Sequence, residues 1–401
     1  MSTTLHVSPA DFAPPSVIPQ WGRRALIVGV LFSVASVVAA FLNPQRFFHS
    51  WLIAFIFWLG LTLGSLVLLM LQYTSGGNWG RIGRRFWEAA THNLWLMLAC
   101  WGLIVVGMAM FHLYPWTKMD PTDLGVEKAH FYLNPTFFII RGIIYFIGWA
   151  FLAWRMHRWS RAEEAGQTTP ATFVGIQNLS GAGIVFYALT ITFASVDWVM
   201  SLAPEWWSTV FGMLFMVGQC LSAFAFTIFL LARLTPREPL SRMFRVDYLH
   251  DFGKLMLAFV ILWAYLSFAQ WLVIWSGNIV EEIRWYLDRI KGHWQIIVIA
   301  LISLHFVLPF ALLLSRNLKR QARKLVLVAL LVMFMRYIDL FWQITPNFHH
   351  HVEWSDIALD VVTFLAIGGL WLWNFFRKLS QRPLLPVNDP QFVHMLEAKH
   401  G

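Results

Sequence analysis

"GAGIVFYALTITFASVDWVMSLAPEWW", residues 181–207, holds the reading of the fold. Its first sixteen residues carry no charge, and then Asp197 stands five residues before the apolar run ends at Leu202. An uncharged run of this length reads as a membrane span. A carboxylate inside a span is costly and marks either a structural partner or a functional group.

Working outward, the same pattern recurs along the chain. It is 58% hydrophobic and 13% charged, with 23 tryptophans, and its apolar residues come in blocks too long for a soluble core. Ten blocks meet the criterion: 25–42, 51–73, 90–112, 136–157, 179–202, 206–233, 251–276, 295–316, 323–342 and 354–377. The fold class is therefore an all-α integral membrane protein. Ten spans lie between an N-terminal segment (1–24) and a tail (378–401). The basic start at Arg23-Arg24 has the look of a signal sequence, but the segment is expected to stay as the first span.

Lysine and arginine set the orientation. With ten spans, 21 of the 30 fall on the side of the two termini and 6 on the other. The positive-inside rule then places both termini in the cytoplasm. The +9 charge is topology, and the scattering of the basic residues over separate loops argues against nucleic acid as a partner.

The two cysteines, Cys100 and Cys220, lie inside spans and far apart in sequence, so they read as packing residues. An iron–sulfur cluster would want four. His92, His112 and His305 fall at different depths, which argues against a two-histidine haem. In "NIVEEIRWYLDRIKGHW", Val280, Ile283, Leu287 and Ile290 recur at helical spacing. Glu281, Glu282, Asp288 and Arg289 fall on the other faces, which predicts an amphipathic helix on the membrane surface.

Asp197 has a counterpart. In "RYIDLFWQITPNF", Asp339 precedes Pro346 by seven positions, as Asp197 precedes Pro204. The two spans are four apart and run the same way. This predicts two four-helix bundles, spans 2–5 (51–202) and spans 6–9 (206–342), as parallel repeats with spans 1 and 10 flanking them. The outer half then holds Asp197, Asp339, Arg336, Arg141 and Gln270, with His305 and Gln219 near mid-depth. The inner edge holds Glu88, His92, Asp251 and Lys254. Arg336 and Asp339 share a helical face and can pair. One reading makes these groups ion pairs that fix helix positions. The other makes them a proton or quinone path, with Asp197 titrating and His305 bridging the two halves.

Four ordered motifs carry a resemblance: "SVDWVMSLAPEWWSTVFGM", "SGNIVEEIRWYLDRIKGHW", "LHFVLPFALLLSRNLKR" and "RYIDLFWQITP". Together they resemble the ActF-type membrane subunit of bacterial alternative complex III, a quinol:cytochrome c (or cupredoxin) oxidoreductase. That subunit type belongs with the NrfD/polysulfide-reductase-like ten-span proteins. The resemblance covers residues 50 to 345. One motif departs from the family pattern, since Val280 stands where the family has proline.

The resemblance implies a subunit of the bacterial inner membrane without its own redox centre and without a covalent or metal-held cofactor. Quinone or menaquinone is left open as a ligand. It implies partners: a paralogous ten-span quinol-binding subunit, an iron–sulfur subunit, c-type haem subunits and membrane lipid. It carries over Asp197, Arg141, His305, Arg336 and Asp339 as members of a proton route. Two alternatives stand beside this reading: a quinol-binding subunit proper, and an independent transporter. The absence of paired helices broken by Gly or Pro argues against the transporter.

Overall fold

The computed structural model describes residues 12–119, 131–243, 246–349 and 354–385. The tail beyond 385, the first eleven residues and the centre of the loop 113–134 lie outside the described residues. The chain is an all-α ten-span membrane protein: ten helices are long and apolar enough to cross a bilayer. Among the described residues there is no strand.

Spans 1 and 2 are α1 (Val17–Leu42) and α2 (Pro44–Ser75). A short helix, α3 (Asn78–Thr91), precedes span 3, which is α4 (Leu94–Phe111). Spans 4 to 7 are α5 (Pro135–Glu164), α6 (Pro170–Trp198), α7 (Phe211–Leu234) and α8 (Val246–Gly277). The surface helix α9 (Val280–Ile290) follows. Span 8 is α10 (Trp294–Ala300), a π-helical segment (Leu301–Val307) and α11 (Leu308–Leu314). Spans 9 and 10 are α12 (Ala322–Ile344) and α13 (Trp354–Leu379).

Three span starts are written in dipeptides. Asn43-Pro44, Asn134-Pro135 and Thr169-Pro170 each place a capping side chain before a proline at the first helical position. The cap accepts a backbone N–H that the first turn leaves unpaired, and proline has no N–H to lose there.

Helices α2, α4, α5 and α6 close one ring of contacts, and α7, α8, span 8 and α12 close a second. The rings meet where α2 packs on α7. Helix α2 is the centre of the molecule. A whole 18-residue stretch of it is buried, against 11% of the corresponding stretch of α1. Its outer side is covered by α13, through Trp58 Nε1 to the Phe364 carbonyl (3.1 Å) and Trp371 Nε1 to Thr62 Oγ1 (2.8 Å). Helix α1 in turn packs on α13 backbone to backbone. A Cβ on Gly369 would sit 2.3 Å from the Gly29 nitrogen, so only glycine permits the approach.

Several helices start earlier than the spans were read, α1 at Val17 rather than 25, α2 at Pro44 rather than 51 and α6 at Pro170 rather than 179, and two further differences change the path of the chain. Span 3 was expected from residue 90, but residues 78–91 form a separate helix and the chain turns at His92-Asn93. Span 8 was expected to be regular. It carries a π-helical turn just before Pro309, whose missing N–H loosens the α-helical pattern.

Candidate functional site

Among the described residues three groups of buried charges stand out. The first sits in the first bundle, at the end away from the termini. Asp197 is fully buried one residue from the end of α6. Arg141 of α5 reaches it with Nε (2.9 Å to Oδ2) and Nη2 (2.7 Å to Oδ1). The Tyr145 hydroxyl donates to Oδ2 at 2.9 Å. Arg141 also donates to the Tyr132 carbonyl (3.0 Å) and lies 4.0 Å from the centre of that ring. Burial pushes the Tyr132 phenol above its ordinary range, and the Asp197 charge adds to this, so it stays protonated. Beside this group opens an apolar cavity of about 410 Å³, lined by Tyr132, Thr192, Phe193, Met200, Trp206 and Trp207 among others.

The second group occupies the second bundle. Asp339 pairs with Arg336 one turn earlier on α12. It also accepts from Trp263 Nε1 (3.1 Å) and Gln343 Nε2 (2.9 Å). His305 lies fully buried on the π-helical turn, with its ring edge-on to Trp263 at 4.3 Å. Neither ring nitrogen has a hydrogen-bond partner among the described residues. π-Helical turns are frequent at functional sites.

The structure does not bring these two groups together. Asp197 and Arg141 belong to one bundle, and His305, Arg336 and Asp339 to the other. His305 was expected to bridge the halves; it faces Trp263 inside the second bundle instead. The equivalent acids also hold their arginines differently. Asp197 takes its partner from a neighbouring helix, while Asp339 takes it from its own.

The third group lies at the end that carries the termini, and α3 builds it. Arg84 and Arg85 sit one turn before Glu88, so one face presents all three. Arg84 bonds Glu88 (3.0 Å) and Glu163. Arg85 bonds Glu88 (2.6 Å), Ser160 (2.7 Å) and Glu164. Arg382, from the segment after α13, bonds Glu88 (3.1 Å), Glu164 (3.0 Å) and Ser160 (3.0 Å). Burial alone would raise the Glu88 carboxyl, but Arg85, Arg84 and Arg382 outweigh it and hold it well below the usual range. It is a fixed charge.

His92 stacks on His157 at 3.9 Å, and His157 Nε2 is 2.8 Å from Thr91 Oγ1. Burial, helped by His157 and Lys378, pushes His92 from 6.5 down to about 3. A group whose folded pKa lies below its unfolded value binds fewer protons when folded. Its contribution to stability is therefore complete above pH 6.5 and declines as the pH falls toward 3. The unfolding temperature of the purified protein is expected to drop between about pH 6.5 and pH 4, and His92→Gln to lessen that slope. An unaltered slope in the variant would remove His92 as its source.

The other two inner-edge candidates lie apart. Asp251 and Lys254 are exposed neighbours on α8, 3.6 Å apart, and such a pair contributes little.

Helix α9 forms where expected but faces differently. Arg289, read as part of its polar face, is buried. Its guanidinium lies 3.7 Å from the centre of the Trp285 ring and donates to the Gln343 carbonyl (2.9 Å) and Asn347 (2.8 Å). Burial lowers it to about 9. Trp206 stacks on Trp285 at 4.3 Å, and Gln270 joins Ser208 (3.2 Å) to Tyr286 (3.1 Å). Helix α9 thus caps the second bundle, and its Val280 side stays exposed.

Sequence reading missed Tyr145, Trp263, Ser160, Glu163, Glu164 and Arg382. The pair Glu163-Glu164 just after an apolar run was the available signal, since paired acids there invite arginine. Both cysteines are buried and free. No protein-family model matches the chain, and no curated protein matches it.

Proposed function

We propose that this chain is a membrane subunit of a quinol:electron-acceptor oxidoreductase of the alternative complex III type. In this reading it has no redox centre of its own, supports assembly of the complex and moves protons. Its partners are the paralogous ten-span quinol-binding subunit, the iron–sulfur subunit and the c-haem subunits named by the resemblance. One observation carries the proton part: at the end away from the termini each bundle buries one acid paired to one arginine, and the second bundle adds an unbonded histidine beside its acid. Ionisable groups kept inside spans at this cost are the material of proton relays.

The test is Asp197→Asn and Asp339→Asn in the assembled complex in proteoliposomes. Each variant is expected to pass electrons from quinol to the acceptor and to lower the proton yield, roughly by half if the bundles share the work equally. An unchanged proton yield from assembled variants overturns the proton role.

The chain belongs, in this reading, to the bacterial inner membrane with both termini cytoplasmic. Cys100 and Cys220 are buried, so an introduced thiol reports on its own. In intact spheroplasts, Glu281→Cys is expected to react with a membrane-impermeant reagent. Reaction only after lysis would reverse the orientation.

A second reading, quinol binding by this chain itself, is favoured by the 410 Å³ cavity against Tyr132 and Trp206. An azido-quinone that labels residues 192–207 would support it, and labelling elsewhere only would dismiss it.

A further inference from the structure

The two bundles meet along a seam whose closeness is set by glycine. A Cβ on Gly64 of α2 would lie 2.1 Å from the Gln219 carbonyl oxygen on α7. A Cβ on Gly218 would lie 2.2 Å from the Arg336 Cζ. Bare backbone at these two points lets α2 and α12 press on α7 while a guanidinium and an amide share the gap.

The gap is a cavity of about 10 Å³, and its polar lining is Gln219, Ser222 and Arg336. All three side chains are buried. A polar cavity of about 10–15 Å³ holds one water if it offers two to four hydrogen-bonding partners. Guanidinium offers only donors; an amide oxygen and a hydroxyl oxygen offer acceptors. Arg336 spends one N–H on Asp339. Gln219 Oε1 already accepts from the Tyr187 hydroxyl at 2.7 Å and has a second lone pair. Ser222 donates to the Gly218 carbonyl at 2.9 Å and can still accept. Donor on one wall and acceptors on the other is the arrangement that a water completes and that a direct contact does not.

We propose that this cavity is a site for a single water. The water accepts from Arg336 and donates to Gln219 and Ser222, joining the Arg336–Asp339 pair of the second bundle to Tyr187 of the first. Gln219 and Tyr187 are then positioning residues: they set where the guanidinium stands, and so how strongly it holds the charge on Asp339. The titratable groups that face this pair are His305 from span 8, Tyr286 from α9 and Tyr187 from α6, with Cys220 of α7 beside Tyr187. The water site stands on geometry alone, while its effect on proton movement rests on the proposed function.

The experiment has a structural arm and a titration arm, both on the assembled complex. In a density map that resolves ordered water, the wild type is expected to show one peak between Arg336, Gln219 and Ser222. Ser222→Val, which fills the cavity and removes an acceptor, is expected to lose it. No peak in the wild type, or a peak that persists in Ser222→Val, overturns the site. In proteoliposomes, Gln219→Leu and Tyr187→Phe are expected to shift the pH profile of proton release by about one unit, the scale of one altered charge contact. If Asp339→Asn changes proton release but these two variants leave the profile in place, the positioning role is overturned and the proposed function stands. If Asp339→Asn also leaves proton release unchanged, the proposed function falls, and the positioning role falls with it.

Discussion

Replacing Arg141 with methionine is expected to destabilise the protein by about 3–5 kcal/mol, the scale for stripping a buried charge of its partner. Asp197 is fully buried, and Arg141 supplies its only cation among the described residues. The remaining donor at the carboxylate, the Tyr145 hydroxyl at 2.9 Å, is neutral and cannot balance the charge. Little folded protein should be recovered in detergent, with a lowered unfolding temperature for what remains. The double variant Arg141→Met/Asp197→Leu is expected to regain most of the loss, since a buried pair can be exchanged for apolar residues of similar size at small cost. Proton yield then separates the two roles of the pair. A double variant that is stable yet yields fewer protons places the function in Asp197. One that is stable with full yield reduces the pair to a clasp. Normal recovery of the single variant would contradict the clasp itself.

Arg84→Ala is the second large effect, of the same order. Three glutamates, Glu88, Glu163 and Glu164, face three arginines at this end, and Arg84 bridges the first two from a fully buried position. Without it Glu163 keeps no cation among the pairs described, and α3 loses one of its ties to α5, those through Arg85 and Thr91 remaining. The segment around Arg382 is anchored on the same glutamates, so it is expected to loosen as well. Thermal unfolding and proteolysis at residues 380–385 check both parts. Arg84→Lys should recover only part of the loss, since a single ammonium lacks the fork that reaches two carboxylates. Unchanged protection of 380–385 in Arg84→Ala would show that Arg382 holds its segment alone.

The spans were legible because their signal is length without charge, and no tertiary context is needed to read it. Asp197 and Asp339 stood out for the same reason, and their shared distance to a proline suggested dividing the spans into the two sets that close separate rings of contacts. The short helix α3 was hidden because its last turn merges into the apolar run of span 3. Its boundary lies at His92-Asn93, where the chain turns without glycine or proline. Arg289 was misplaced because periodicity ranks arginine as a surface residue. Its guanidinium stacks on Trp285 and donates to Gln343 and Asn347, partners that lie far along the chain or on its own helix face. His305 and Asp197 looked connected because both are titratable groups at staggered depths in apolar runs, but a plausible sequence of depths says nothing about sharing a bundle. Gln219 stood out in sequence only as a mid-depth polar residue and Tyr187 not at all; it is the packing of α12 on α7 at Gly218, with the Tyr187–Gln219 bond, that brings them near Arg336.

Helix α2 is buried along its central stretch, yet it is the second span made and the helix that covers it is the tenth. The bond from Trp58 to Phe364 joins residues 306 apart. At 5–20 residues per second a ribosome needs roughly 15–60 s to travel that distance. Throughout that interval Trp58 and Thr62 face the bilayer or whatever protein stands beside them. A chain that stops short of α13 keeps that face open permanently. Enclosure of α2 therefore waits on the tenth span: until α13 docks, one side of α2 stays uncovered.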